Sequence, residues 1–328
     1  MKAQIVVVHG RHTESFTEQA CTLFDWVSEQ FGHELQLDRR PLGSSEAEWS
    51  GLVSACNRAN AVLSGVPATS PVGADEETLA LKRLGRELSL FASVRSFRLF
   101  PHAMTAMPLR PEQFGGSDAL IVSAGAPTAE HAEVRATCQL AFRLARHRWG
   151  HVTAVDTFPA LASEWNALIT ETATEFPGIL LERKPTRDVL LQLMSAPAHW
   201  DVIVAPPRIA DTLLDQGALL AGSMGLLPHA LLGEGRQGLY QPLHGHVPEA
   251  RWEEHANPTG GILAAAMLLR HSLGLEREAT VIEAAVARGL AEWVRRRGVR
   301  GSLPVGTPRL FETIQAQLTT DPFHSLAV

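Results

Sequence analysis

Short apolar runs alternate along this chain with stretches whose apolar residues recur at helical spacing. Ala3–Val8 is a continuous apolar run of strand length. After a polar loop, Phe16, Ala20, Phe24, Val27 and Phe31 fall on one helical face, and Ser15 and Glu18 have the spacing of a capping box at its start. Strands are predicted over 33–37 and 61–65, with a helix over 46–58 between them. A loop rich in Pro, Gly and Ala (66–75) leads to a helix over 76–89, and the runs 91–100 and 118–123 read as strands. Residues 133–148 are amphipathic, with Val134, Cys138, Ala141 or Phe142, and Ala145 on one side and arginines on a solvated basic side. A strand at 152–156, a helix at 160–175, a strand at 178–183 and a helix at 188–194 continue the pattern. Asp201–Ala205 is a further apolar strand. It breaks at Pro206-Pro207 into a helix carrying Asp211 and Asp215, followed by a Gly-rich loop (222–228) and a short strand, 239–243. Asn257 and Pro258 suit the opening of a long apolar helix that Gly274 stops. Helices over 277–297 and 307–319 close the chain. This alternation predicts an α/β protein.

Composition narrows the picture without deciding it. A chain of 328 residues buries a substantial core and divides naturally into two lobes. With 29 basic and 35 acidic residues the net charge of −6 argues against nucleic acid as the main partner. Cys21, Cys56 and Cys138 are odd in number and far apart, which fits a reducing compartment rather than a disulfide framework or zinc site. No apolar run is long enough to span a bilayer, and Lys2 leads directly into the first strand without a signal sequence, so a cytoplasmic, non-membrane protein is expected. Tyr240 is the single tyrosine, and Lys2, Lys82 and Lys184 are the three lysines.

Asp201–Leu275 concentrates the polar loops that lead into helix starts, the usual place for a ligand. Its segments DVIV, Asp211-x-x-x-Asp215, GSMGLLP, PLHG, HANP and AAAMLLRHSLGL, in that order, resemble the isopropylmalate/isocitrate dehydrogenase family of β-decarboxylating dehydrogenases. Fainter similarity runs through 88–101 and 152–156. The resemblance implies a two-lobed, non-Rossmann α/β fold, with residues 1–90 and 223–328 as the cofactor-binding lobe. Residues 91–222 would form an inserted lobe for substrate and dimerisation, each active site borrowing residues from its partner subunit. Gly233-Glu-Gly-Arg-Gln-Gly238 matches a dinucleotide motif by letter, but a strand-like run follows it where a helix is needed, so it reads as a turn.

By the same resemblance, His244, Gly245 and Asn257 would hold adenine. Glu249 stands where NAD-preferring members carry an aspartate, and a carboxylate there accepts from the ribose 2′-OH and repels a 2′-phosphate. Asp211 and Asp215, at i and i+4, share a helix face and would bind Mg²⁺ or Mn²⁺. Of the arginines that hold substrate carboxylates, Arg95 matches; the others align to Gly85, with Arg86 adjacent, and to Ser123.

Several positions depart from the family. The third metal carboxylate, donated across the dimer, aligns to Arg187, with Asp188 next to it; whichever faces the Asp pair decides between a guanidinium bridge and a metal. The catalytic lysine aligns to Thr157. The segment that would carry the acidic tyrosine is the short Ala124–Ala132, without a tyrosine. Gln241 replaces a glutamate. His9, His12 and His246 are new and could supply a general acid or base. Two readings follow. One is an NAD-dependent oxidoreductase acting on a 2-hydroxy acid other than isopropylmalate or isocitrate. The other is a non-catalytic member that binds nucleotide or partners a catalytic paralogue.

Overall fold

The computed structural model describes residues 1–10, 13–43, 45–68, 76–100, 117–126, 128–156, 159–243, 257–297 and 308–318. The chain forms two compact units, Met1–Leu90 with Ser223–Val328, and Phe91–Gly222.

The first unit opens with β1 (Lys2–His9), α1 (Glu14–Phe31), β2 (Glu34–Pro41), α2 (Glu46–Arg58), β3 (Ala61–Ser64) and α3 (Glu76–Glu87). The second holds β4 (Ala92–Arg98), β5 (Asp118–Ala124), α4 (His131–Arg146), β6 (His151–Asp156), α5 (Pro159–Thr174), β7 (Leu180–Pro185), α6 (Thr186–Ser195), β8 (Val202–Val204) and α7 (Pro207–Ala221). The chain then returns to the first unit with β9 (Pro228–Leu232), β10 (Gly238–Pro242), α8 (Thr259–His271), α9 (Glu276–Arg297) and α10 (Pro308–Leu318).

In the first unit the strand order is β2-β1-β3-β10-β9, parallel except for the β10–β9 hairpin. In the second it is β4-β5-β8-β6-β7, parallel except for β4–β5. Continuous apolar runs such as Ile5–Val8 have no exposed face, as strands covered by helices on both sides require. Each unit is thus a mixed sheet sandwiched by helices.

Two local expectations change. Helix α1 starts at Glu14 with Thr13 as N-cap, so the pairing of Ser15 with Glu18 falls inside the helix. The Thr13 hydroxyl accepts the Gly10 N–H at 2.8 Å instead of capping. The reciprocal capping box belongs to α2: Ser45 Oγ accepts the Glu48 N–H, and Glu48 Oε2 accepts the Ser45 N–H at 3.1 Å. The second change is β9, a strand hidden in the sequence between a Gly-rich loop and a Gly-rich turn. It pairs antiparallel with β10, so residues 233–237 are the connection of a hairpin. That connection has no helix after it to receive a pyrophosphate.

Helix α4 packs its apolar face inward, with Phe142 stacked on Phe176 at 5.3 Å. Of its arginines, Arg135 bonds Glu171 of α5 and Glu175 just beyond that helix. Helix α8 is apolar all round and buried from Thr259 to Leu269. Its first turn lies so close to its neighbours that a Cβ on Gly260 would sit 2.9 Å from the Gly225 carbonyl oxygen, and one on Gly261 1.9 Å from the Phe16 ring. Gly274, at φ +69°, turns the chain out of α8.

The three cysteines are free and buried. Burial pushes the thiols of Cys56 and Cys138 up to about 12, so neither is a nucleophile at neutral pH. No helix among the described residues is long and apolar enough to cross a membrane.

Candidate functional site

In the second unit, β4 and β5 present one face to α7. The packing is close there, since a Cβ on Gly217 of α7 would lie 2.9 Å from the Phe97 ring of β4. Two residues before Phe97, and so on the same face, Arg95 reaches α7. Its Nη2 donates to Asp211 Oδ1 at 2.8 Å, and its Nη1 donates to Ser123 Oγ at 3.4 Å. Ser123 is fully buried and donates its own proton to the Ala124 carbonyl. The Arg95 side chain is 12% exposed, whereas that of Asp211 is 61% exposed. Burial lowers the Arg95 pKa below its ordinary value; Asp211, and more weakly Asp215, pull it back up. Arg95 Nε is shut from solvent and has no hydrogen-bond partner among the described residues.

Arg95, Ser123 and Asp211 thus meet at one place, with Asp215 exposed one turn further along α7. Two exposed carboxylates a turn apart are hard oxygen donors, which suits Mg²⁺ or Mn²⁺. Among the described residues no three acidic, histidine or cysteine side chains converge into a full metal site. Arg187 and Asp188 are exposed in the first turn of α6. Within this chain neither forms an ion pair with Asp211 or Asp215 among the described residues.

Asp156 ends β6 and is held by Arg183 at 3.0 Å. Thr157, the next residue, lies outside the described residues. Only residues 125–130 separate β5 from α4, and the Gly125 N–H is tied to the Phe91 carbonyl.

In the first unit, the C-terminal ends of parallel β1, β3 and β10 lie at one edge of the sheet, where α/β proteins bind ligands. His244, Gly245 and Glu249 follow β10 and lie outside the described residues. Asn257 is buried, and its Oδ1 accepts the Thr259 N–H at 3.0 Å. That bond holds the start of α8 and leaves the amide Nδ2 as the donor side of the residue. Arg86 is exposed on α3, its Nε turned back to the Lys82 carbonyl of the same helix. Gly85 beside it is buried, and a Cβ there would lie 2.8 Å from Leu231.

Gln241 is marked in the sequence only as a replaced glutamate, and its partner His229 has no distinct signal there. His229 and Gln241 are directly opposite each other on β9 and β10, both buried, with Gln241 Nε2 2.9 Å from His229 Nδ1. Only the hairpin register brings them together.

The fold is shared with isocitrate dehydrogenase from Methylococcus capsulatus, with a TM-score of 0.76 at 22% identity over 96% of this chain and 99% of that one. That likeness shows a shared two-unit α/β fold. At the sequence level, the model of the family described as isocitrate/isopropylmalate dehydrogenase matches residues 124–314. The chain is 33% identical to 3-isopropylmalate dehydrogenase of Anaeromyxobacter dehalogenans, over 92% of this chain and 96% of the relative. It is 34% identical to that of Oleidesulfovibrio alaskensis, over 83% and 87%. The chain belongs to the isocitrate/isopropylmalate dehydrogenase family.

Proposed function

We propose that this protein is an NAD-dependent oxidoreductase acting on a 2-hydroxy acid other than isopropylmalate or isocitrate. The observation that carries this reading is the buried Arg95, held between Ser123 and Asp211 with an unused N–H. A guanidinium so placed is a fixed cation that a substrate carboxylate can pair with. A divalent cation on Asp211 and Asp215 supplies Lewis acidity toward the substrate hydroxyl when bound. Arg95 orients the acid, and Ser123 steadies Arg95.

For the cofactor, the Asn257 Nδ2 and the loop of His244, Gly245 and Glu249 would meet the adenosine part, and the Glu249 carboxylate favours NAD over NADP. NAD is therefore expected to raise the melting temperature more than NADP does. A ligand at about 100 times its dissociation constant contributes about 2.7 kcal/mol. Thermal melts with no NAD shift, or with a larger NADP shift, would overturn the cofactor assignment.

A second reading, a non-catalytic member that binds nucleotide or pairs with a catalytic paralogue, draws on Thr157 in the lysine position. Screening 2-hydroxy acids for NADH formation separates the two.

The Phe91–Gly222 unit would also make a homodimer. Leu191 on α6 is 59% exposed, Leu219 on α7 66% and Leu180 on β7 64%, and apolar side chains so exposed suit an interface. Light scattering at micromolar concentration should give the mass of two chains; the mass of one chain would remove this assignment.

A further inference from the structure

The apolar face of α1 is closed along its middle: Ala20 is 5% exposed, and Phe24 and Val27 have no exposed surface. Phe16, one turn nearer the start of the helix, is only half-buried. Its ring rests on backbone rather than on side chains. A Cβ on Gly261 of α8 would fall 1.9 Å from the ring, and one on Gly65, the residue after β3, 2.7 Å from it. Two positions without side chains, on separate elements, thus make one slot for one ring. Gly65 marks the C-terminal end of β3, so the slot lies at the edge where β1, β3 and β10 end and where α/β proteins take up ligands. A ring wedged in this way has lost its rotamer freedom on folding, and a ligand that stacks on it need not order it again. Aromatic surface left open at such an edge suits a planar base, because every base offers a π-face. A residue serving the core alone would be covered, as Phe24 is.

We propose that Phe16, seated by Gly65 and Gly261, is a fixed stacking platform for the adenine ring of the dinucleotide. This rests on the reading of the first unit as the cofactor-binding one. Adenine is assigned rather than nicotinamide because Gly261 follows Asn257 by four residues at the start of α8, and Asn257 is the residue that the resemblance gives to adenine. The contribution is to affinity for the base. The choice between NAD and NADP stays with Glu249, which addresses the ribose.

The test is calorimetric titration of the full-length protein with NAD and with ADP-ribose, which keeps the adenosine half and lacks nicotinamide. Phe16→Leu keeps an apolar side chain in the slot and removes the ring. It should weaken both ligands by the same factor, about fivefold or more. Unchanged affinity for both, in a variant that melts like the parent, would overturn the proposal and assign Phe16 to packing alone. Weaker NAD with unchanged ADP-ribose would also overturn it, by moving the ring to the nicotinamide. A second readout needs no variant. In protein deuterated except at its phenylalanine rings, bound ADP-ribose should show nuclear Overhauser contacts from the adenine H2 or H8 to a phenylalanine ring. Their absence with the ligand bound would overturn the proposal and leave the cofactor reading standing. Failure of the unmodified protein to bind either ligand would remove the cofactor reading itself, and this proposal with it.

Discussion

Purified protein supplied with NAD, Mg²⁺ and either 3-isopropylmalate or isocitrate is expected to turn over neither at a measurable rate. Oxidation of a hydroxyl needs a base for its proton, and loss of carbon dioxide leaves an enol that needs an acid. By resemblance the base would be a lysine where Thr157 stands, and a threonine hydroxyl does not take a proton at neutral pH. The acid would be a tyrosine in the segment after β5, which here is residues 125–130. The one tyrosine in the chain, Tyr240, does not replace it. It is fully buried, its hydroxyl is 2.7 Å from Ser272 Oγ, and burial pushes its pKa up. The lysines are committed elsewhere or exposed: Lys2 pairs with Glu34, Lys184 with Glu182 and Gln192, and Lys82 lies on the outside of α3. Positioned acids and bases each contribute about 10²–10⁴ in rate. Steady-state assays following NADH absorbance decide the matter, and brisk oxidation of either substrate would sink the argument.

The largest structural effect is expected at Asp201. Its side chain has no exposed surface. One oxygen accepts from Arg148 Nε at 2.7 Å, and the other accepts the backbone N–H groups of Trp149 at 3.1 Å and His151 at 3.0 Å. Arg148 also meets Asp118, so one aspartate joins the ends of α4, β5, β6 and β8. Asp201→Ala leaves a half-buried guanidinium with one acid and orphans two amides at the turn through Gly150, whose φ is +76°. Breaking a buried pair in this way costs about 3–5 kcal/mol. Asp201→Asn should recover little of it, because an amide NH₂ would face those two backbone donors. Urea unfolding of both variants against the parent gives the comparison, and a loss under about 1 kcal/mol would show that the network contributes nothing beyond an ordinary surface pair.

Much of the architecture is written in local pattern. The unbroken run Ile5–Val8, the 3.6-residue spacing of Phe16 to Phe31, and Gly274 after an apolar helix each act within a few residues of themselves, so period and chirality settle them. The α/β class and the family resemblance follow from such signals in order. Local pattern is ambiguous where two neighbouring residues suit the same role. Thr13 and Ser15 both suit a helix start, and the choice went to the residue whose hydroxyl could also hold Gly10. The strand β9 opens on Pro228 and is flanked by glycine-rich turns, so its local signal is weak, and its pairing with β10 is what defines it.

The site divides the same way. Asp211 and Asp215 share a face by spacing alone, whatever surrounds them. That Arg95, 116 positions away from Asp211, is the cation they meet depends on β4 lying under α7, and on Gly217 letting Phe97 pack there. Likewise His229 opposite Gln241 is a matter of register, and Asp201 as a fourfold anchor depends on where two loops end. Spacing along one element is local and is determined by the sequence alone. Contacts between elements depend on packing that every part of the unit shares, and only the tertiary structure decides them.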